Sequence, residues 1–352
     1  MNLGLKFTVN RQKNSWIFEE NPSLLLTCYS NNNFNIVIGV IKMSNNFKNV
    51  RTDMAKEVFE LHKSVNGVTS VEEMPFDDIE ITRVKIINKH GEKVLGKPIG
   101  NYITVDIPKL PEKDATYIEN ATEIIAKELK SLTGEINKND TVLIIGLGNS
   151  NITPDALGPK VAGKVLVSRH VFEYLPGLID DKANSVCAIS PGVLGITGIE
   201  TGEIVKGVID MVHPKLVIAV DSLASRSTSR INRSVQLTDT GIQPGAGLGN
   251  RRKELSTNTL GTKVIALGVP TVIYASTITQ DTVDLLLDEL GEKDKSHLIK
   301  MVGEISDKSL GNLVVTPKDI DQIIEDSSDL ISNAIDMALH GASLEEIRII
   351  MQ

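Results

Sequence analysis

Two aspartates stand at positions where an α/β enzyme could carry out hydrolysis. Asp155 lies in the segment TPDALGP, just after the apolar run TVLIIGLGN, and Asp221 ends the apolar run KLVIAV. Two carboxyl groups that lie close together do not both ionise easily, so one keeps its proton while the other accepts a proton from water. Such a pair can activate water against a peptide carbonyl, or it can hold a metal ion that does so.

Each aspartate also has an ordinary structural explanation. Asp155 follows Thr153 and Pro154, a cap and a first-turn proline, where an acid complements the helix dipole. Asp221 can cap the turn that follows its strand. The catalytic interpretation therefore depends on a fold that brings both side chains to one edge of one sheet.

Apolar runs and helical patterns alternate along most of the chain. The runs TVLIIGLGN, SVCAIS and KLVIAVDSLA predict buried strands, and residues 155–175 and TGEIVKGVIDMVH predict helices between them. Two earlier strands, ITRVKIINK and NYITVDIP, are predicted around a turn at His90–Gly91. This order predicts a three-layer α/β/α sandwich with a helical C-terminal part. Ligands of such sheets bind beyond the carboxyl ends of the strands, where Asp155 and Asp221 stand.

The composition and the missing motifs exclude several other classes. The chain has 352 residues and a net charge of −8, which argues against general binding to nucleic acid or to anionic membranes. No apolar run approaches the roughly 20 residues of a membrane span, and no signal peptide is evident, so a cytoplasmic protein is expected. Metalloprotease, serine-hydrolase and Walker motifs are absent, and GLGNSN has asparagine where a dinucleotide fingerprint needs its third glycine.

The segment VRTDMAKE can be read in two ways. Thr52 is a suitable N-cap, Asp53 suits the positive end of a helix, and Met54, Val58 and Leu61 follow at helical spacing. The same segment is also one that the protein itself could bind.

Six segments, in order from about residue 49 to the C-terminal helix, resemble the germination proteases of endospore-forming bacteria. They are VRTDMA, TPDALGP, SPGVLGITGIET, DSLASR, DTGIQPGAGLGNRRKEL and GVPTVI. These endopeptidases begin the breakdown of small acid-soluble spore proteins. The resemblance implies a fold similar to that of hydrogenase maturation proteases, a homotetramer, and a location in the cytoplasm of the forespore and spore core.

The resemblance also implies a zymogen that cuts off its own N-terminal segment. The family cleaves after an acid and before a large apolar residue, in a context like Thr-Glu-apolar-Ala-x-Glu, and Thr52–Glu57 has that form. Processing is thus expected between Asp53 and Met54, with residues 1–53 as extension and propeptide and 54–352 as one catalytic domain. Met43 is an alternative start, which would make residues 1–42 an upstream extension.

The catalytic residues implied by the resemblance are Asp155 and Asp221, the two aspartates selected above by position. We favour a metal-free pair and expect no cofactor, with a divalent metal on the same aspartates as the alternative. Oxyanion donors are expected among the backbone amides of SPGVLG or of the glycine loop 245–249. Arg226, Arg251 and Arg252, with Lys253, are candidates for binding substrate acids, or else for surface ion pairs. A non-catalytic peptide- or nucleotide-binding protein is the remaining alternative.

Overall fold

The computed structural model describes residues 51–62, 64–174, 183–243, 253–289 and 313–341, strands within residues 11–42, and short helical pieces between 302 and 310. The chain divides into two compact units, Met1–Asn49 and Val50–Gln352. The first contains an antiparallel sheet whose four strands lie in chain order: β1 (Arg11–Gln12), β2 (Ser15–Asn21), β3 (Leu24–Ser30) and β4 (Ile36–Lys42). The alternative start, Met43, lies outside the described residues.

The second unit is built on one mixed sheet. Its strands are β5 (Val68–Phe76), β6 (Ile79–Ile86), β7 (Gly100–Asp106), β8 (Thr141–Gly146), β9 (Ser185–Ile189), β10 (Leu216–Ser225), β11 (Ser234–Thr238), β12 (Lys263–Tyr274) and β13 (Val314–Val315). The order across the sheet is β5-β6-β7-β11-β12-β10-β8-β9, and β13 pairs with β12. Strands β12, β10, β8 and β9 are parallel, whereas β5, β6, β7 and β11 pair antiparallel with their neighbours.

Helices cover both faces of this sheet. They are α1 (Ala55–His62), α2 (Lys89–Leu95), α3 (Ala115–Thr133), α4 (Leu157–Lys164), α5 (Arg169–Tyr174), α6 (Leu194–Thr197), α7 (Thr201–Val212), α8 (Thr257–Leu260), α9 (Ala275–Glu289) and a C-terminal helix (Ile320–His340). Within the described part of the chain, none of them combines the length and apolar character that crossing a membrane requires.

Alternate residues of the parallel strands enter two separate cores. Val142 and Ile144 of β8 pack with α3, α4 and the C-terminal helix, whereas Leu143 and Ile145 of the same strand pack with α7 and α8. A strand buried on both faces needs a continuous apolar run, which is the pattern of TVLIIG. The α/β sandwich prediction is confirmed, including its C-terminal helix.

Two local predictions are wrong. The expected turn at His90–Gly91 is the first part of helix α2, because the Asn88 side chain accepts hydrogen bonds from the N–H groups of His90 and Gly91 and caps a helix there. The single helix expected over 155–175 is two helices, α4 and α5, since the backbone turns to an extended conformation at Val165.

Candidate active site

The two predicted catalytic aspartates lie beside adjacent parallel strands, Asp155 beyond the end of β8 and Asp221 within β10. The sequence predicts that the strand ends at Asp221, but β10 continues to Ser225 because it stays paired with β12 there. Strand β8 pairs with β10 up to Gly146 and Val220, and Asp221 comes directly after Val220. Beyond that pair, the Leu147 N–H donates to the Val220 carbonyl at 2.8 Å, so the chain leaving β8 stays beside β10. Asp155 ends a short 3₁₀ turn, Thr153–Asp155, that leads into helix α4.

Glycine at position 158 permits the close approach of this helix to the strand ends. A Cβ atom at Gly158 would lie 2.2 Å from the Leu147 carbonyl oxygen and 2.5 Å from that of Val220. The glycine of TPDALGP is therefore needed for the first turn of α4 to pack against the chain leaving β8 and against β10 at Val220. Asp155 thus follows β8 and Asp221 lies within the neighbouring strand β10, and the sharing of a proton between their carboxyl groups stays a prediction.

Asp221 lines a cavity on one face of the sheet. In the strand register Asp221 lies opposite Gly268 of β12, and Gly268 lies opposite Gln236 of β11. Side chains in one such row point to the same face. The middle residue has no side chain, and Leu223 packs over it, with its Cγ 2.6 Å from where a Cβ of residue 268 would lie. The cavity has a volume of about 190 Å³, and its lining includes Asp221, Gln236, Gly268 and Asp53. Asp221 itself is buried, and its Oδ1 accepts the Ser222 N–H at 2.9 Å.

The segment with the expected cleavage site is seated at this cavity. The Asp53 N–H donates to the Ala224 carbonyl at 2.8 Å, and the Ala224 N–H donates to the Asp53 carboxylate at 2.9 Å. Met54 and Ala55 have no exposed surface. Helix α1 begins at Ala55, so Met54 and not Thr52 precedes its first residue, and the prediction that Thr52 is the N-cap is wrong. The Thr52 hydroxyl accepts the Met54 N–H at 3.0 Å, in a turn just ahead of the helix. The expected scissile bond is therefore buried at the entry to a helix.

Two side chains contact the backbone on both sides of that bond. The Asp53 carbonyl oxygen accepts hydrogen bonds from Lys97 Nζ at 3.0 Å and from Gln236 Nε2 at 3.1 Å. Gln236 Oε1 in turn accepts the Ala55 N–H at 2.6 Å. Burial lowers the pKa of the Lys97 ammonium, and the charges of Asp53 and Glu57 oppose that shift.

Glu57, the acid at the end of the TDMAKE segment, is bound mainly by backbone groups. Its buried carboxylate accepts the N–H of Arg226 at 2.7 Å and of Ser227 at 2.9 Å, and it also bonds to the Thr52 hydroxyl. The Arg230 guanidinium lies 3.4 Å away. An acid at this position thus meets two amide donors and one positive charge.

The basic residues expected to bind substrate acids are dispersed. The Arg226 guanidinium forms an ion pair with Asp281 at 2.5 Å, so it is the backbone of Arg226, through Glu57, that contacts the segment. Lys253 Nζ lies 3.4 Å from Glu203 in an exposed pair. Arg251, Arg252 and the glycine loop 245–249 lie outside the described residues.

Comparison with known proteins identifies the family. The family model described as germination protease matches residues 46–301. The chain belongs to the germination protease family. The germination protease of Clostridium perfringens is 45% identical over 319 residues, which cover 85% of this chain and 98% of the relative. That of Clostridium tetani is 46% identical over 317 residues, with 85% and 98% covered. That of Oceanobacillus iheyensis is 40% identical over 347 residues, with 83% and 94% covered.

Membership of the germination protease family makes the chain a protease that functions in germination, and it sets aside the non-catalytic alternative. In the part of this family member that the structure describes, His, Cys, Asp and Glu side chains form no group of three that could hold a metal ion. The metal-free pair and the divalent-metal alternative on Asp155 and Asp221 both stay predictions.

Lys97 and Gln236 are the contacts that sequence reasoning missed. Gln236 stands between Val235 and Leu237 in the strand SVQLTD, and it is only 7% exposed. A buried amide in the middle of a central strand is a usable signal, because buried polar groups need partners. Lys97, in the segment GKPIG, carries no signal in the sequence that sets it apart from the other lysines of the chain.

Proposed function

We propose that this protein is an endopeptidase zymogen that cuts its own chain between Asp53 and Met54, using Asp155 and Asp221 as a water-activating pair. The observation that supports this most directly is the seat of Asp53 and Met54: the bond between them adjoins the cavity that Asp221 lines. A protease that meets one of its own peptide bonds in this position is arranged for intramolecular cleavage.

The reaction is an ordinary hydrolysis, with water as the second reactant. One carboxylate of the pair takes a proton from water as the water oxygen bonds to the carbonyl carbon of Asp53, and the carbonyl oxygen receives the electron pair. When the intermediate collapses, the C–N bond breaks and the Met54 nitrogen takes the proton from the pair. The products are a new carboxyl group on Asp53 and a new amine on Met54. No step requires a metal or cofactor, and we propose a metal-free pair.

The contacts of the TDMAKE segment also suggest how other substrates bind. A chain of the form acid-apolar-Ala-x-Glu can present its first acid to the Ala224 N–H and its last acid to the amides of Arg226 and Ser227. Charge-assisted hydrogen bonds of this kind select acids over neutral side chains. We therefore propose small acid-soluble spore proteins as substrates, cut in the cytoplasm of the forespore and spore core, and a homotetramer as the working assembly.

Substitution of the two aspartates tests the catalytic assignment. Asp155→Asn and Asp221→Asn keep the size of each side chain but remove its ability to exchange a proton, and both self-processing and cleavage of an added substrate should be lost. Circular dichroism and thermal unfolding confirm that the variants are folded. If a folded variant still cleaves, the substituted residue is not a member of the pair.

A further inference from the structure

We propose that Lys97 and Gln236 are catalytic residues that bind the oxyanion formed at the scissile carbonyl. This inference rests on the proposed cleavage between Asp53 and Met54. The oxygen that becomes negatively charged in that reaction is the Asp53 carbonyl oxygen, and it already accepts one hydrogen bond from each side chain, at 3.0 Å and 3.1 Å. Oxyanion donors are recognised by distances of about 2.7–3.1 Å from the developing charge.

Lys97 supplies the charge. Its ammonium also donates to the Thr52 carbonyl at 3.2 Å, so its two hydrogen bonds reach successive carbonyl oxygens of the substrate-like segment. Burial lowers its pKa, which means that the ammonium has lost part of its hydration. A partly desolvated cation interacts more strongly with a new negative charge than a cation in water does, because the effective dielectric constant is lower.

Gln236 aligns the backbone of the substrate-like segment. Its amide donates to the Asp53 carbonyl and accepts from the Ala55 N–H, which is how a neighbouring β-strand would pair with an extended chain. The residue is buried in β11, which pairs with a strand on each side, so the sheet fixes the backbone from which the amide reaches the segment. Within the described residues, its hydrogen bonds are to backbone groups, so they serve any substrate chain in this position.

The decisive experiment measures self-cleavage of the full chain in five forms: wild type, Lys97→Met, Lys97→Arg, Gln236→Glu and Lys93→Met. Lys93 is exposed on α2 and loses the same charge, which makes it the matched control. Gln236→Glu keeps an acceptor for the Ala55 N–H but removes the donor to Asp53. We expect Lys97→Met and Gln236→Glu each to slow cleavage by about 10²–10³-fold, the usual effect of removing one oxyanion donor. Lys93→Met should cleave at the wild-type rate.

Two further readouts separate catalysis from simple docking of the segment. Hydrogen exchange at the Ala224 amide reports whether Asp53 is still seated, and it should stay protected in the slow variants. Lys97→Arg should recover part of the activity and keep it to more alkaline pH, because a guanidinium stays protonated where an ammonium does not. If Lys97 has only a structural role, the alkaline limb of the pH–rate profile should be the same in Lys97→Arg and in the wild type.

Three results would overturn the inference. The first is wild-type cleavage rates in both Lys97→Met and Gln236→Glu. The second is a cleavage rate that falls in proportion to a loss of hydrogen-exchange protection at the Ala224 amide. The third is a pH–rate profile for Lys97→Arg whose alkaline limb lies at the same pH as that of the wild type. If Lys97→Met does not fold, Gln236→Glu and Lys97→Arg decide the question. An intact wild-type chain would instead overturn the proposed function itself, so the two failures are distinct.

Discussion

Replacing Glu57 by glutamine should loosen the seat of the substrate-like segment. One carboxylate oxygen accepts the Arg226 N–H and the Thr52 hydroxyl, and the other accepts the Ser227 N–H and faces Arg230. Glutamine turns one of these oxygens into an NH₂ group, so at least one buried donor would face another donor. Leaving a buried donor unpaired costs about 1–3 kcal/mol, and losing the charge opposite Arg230 adds to it. We expect the free energy of unfolding to fall by roughly 2–4 kcal/mol.

Glu60→Gln is the matched control for this prediction. Glu60 lies on the same helix and contacts the same arginine at 2.7 Å, but it is exposed. Exposed ion pairs contribute about 0–1 kcal/mol, so the control should change little. Both variants are best made in an Asp221→Asn chain, which should stay uncut, and measured by urea unfolding and by hydrogen exchange at Arg226 and Ser227. If the two variants differ by less than about 1 kcal/mol, Glu57 does not anchor the segment.

Three more predictions concern a buried aspartate of the C-terminal helix and the candidate active site. Burial raises the pKa of Asp336 to about 7, whereas an unfolded aspartate titrates near about 3.9. The free energy of unfolding should therefore fall by up to roughly 4 kcal/mol as pH rises from about 4 to about 7. Urea titrations should show that Asp336→Asn flattens this slope, while the lowered pKa of His340 acts in the opposite sense and remains in both proteins. Gly268→Ala should slow self-cleavage, measured by gel, because the new Cβ would lie 2.6 Å from Leu223 Cγ and 2.9 Å from the Asp221 carbonyl oxygen. Treatment with a chelator should leave the cleavage rate unchanged, and a loss of activity that zinc or another divalent ion restores would favour the metal-assisted alternative.

The parts of the fold that sequence predicted best are those buried on both faces. Strand β8 and the first half of β10, Leu216 to Val220, are continuous apolar runs, so the sequence predicts a buried strand at each. Strand β5 was not predicted because it lies at the sheet edge, where most of its residues are exposed and no apolar pattern results. The antiparallel pairing of β5, β6, β7 and β11 cannot be predicted from the sequence either, because strand direction depends on connections that periodicity does not reveal.

The candidate site also contains some residues that the sequence predicts and others that it does not. Asp155 and Asp221 could be selected because each follows an apolar run, and polar residues after such runs in a parallel sheet mark its ligand-binding edge. Lys97 and Gln236 could not be joined to them, because they come from separate elements that meet only in three dimensions. Gln236 lies on β11, with β12 between it and Asp221, and Lys97 lies between α2 and β7. Each was recognisable only from its contact with the Asp53 carbonyl.

The most direct test of this account follows the purified full chain over time by intact mass and N-terminal sequencing, at several protein concentrations. We predict a product that begins at Met54, formed at a rate independent of concentration, and no such product from Asp221→Asn. A wild-type chain that stays whole while it cleaves an added Thr-Asp-Met-Ala peptide would contradict the account. A first cut at another bond would contradict it equally.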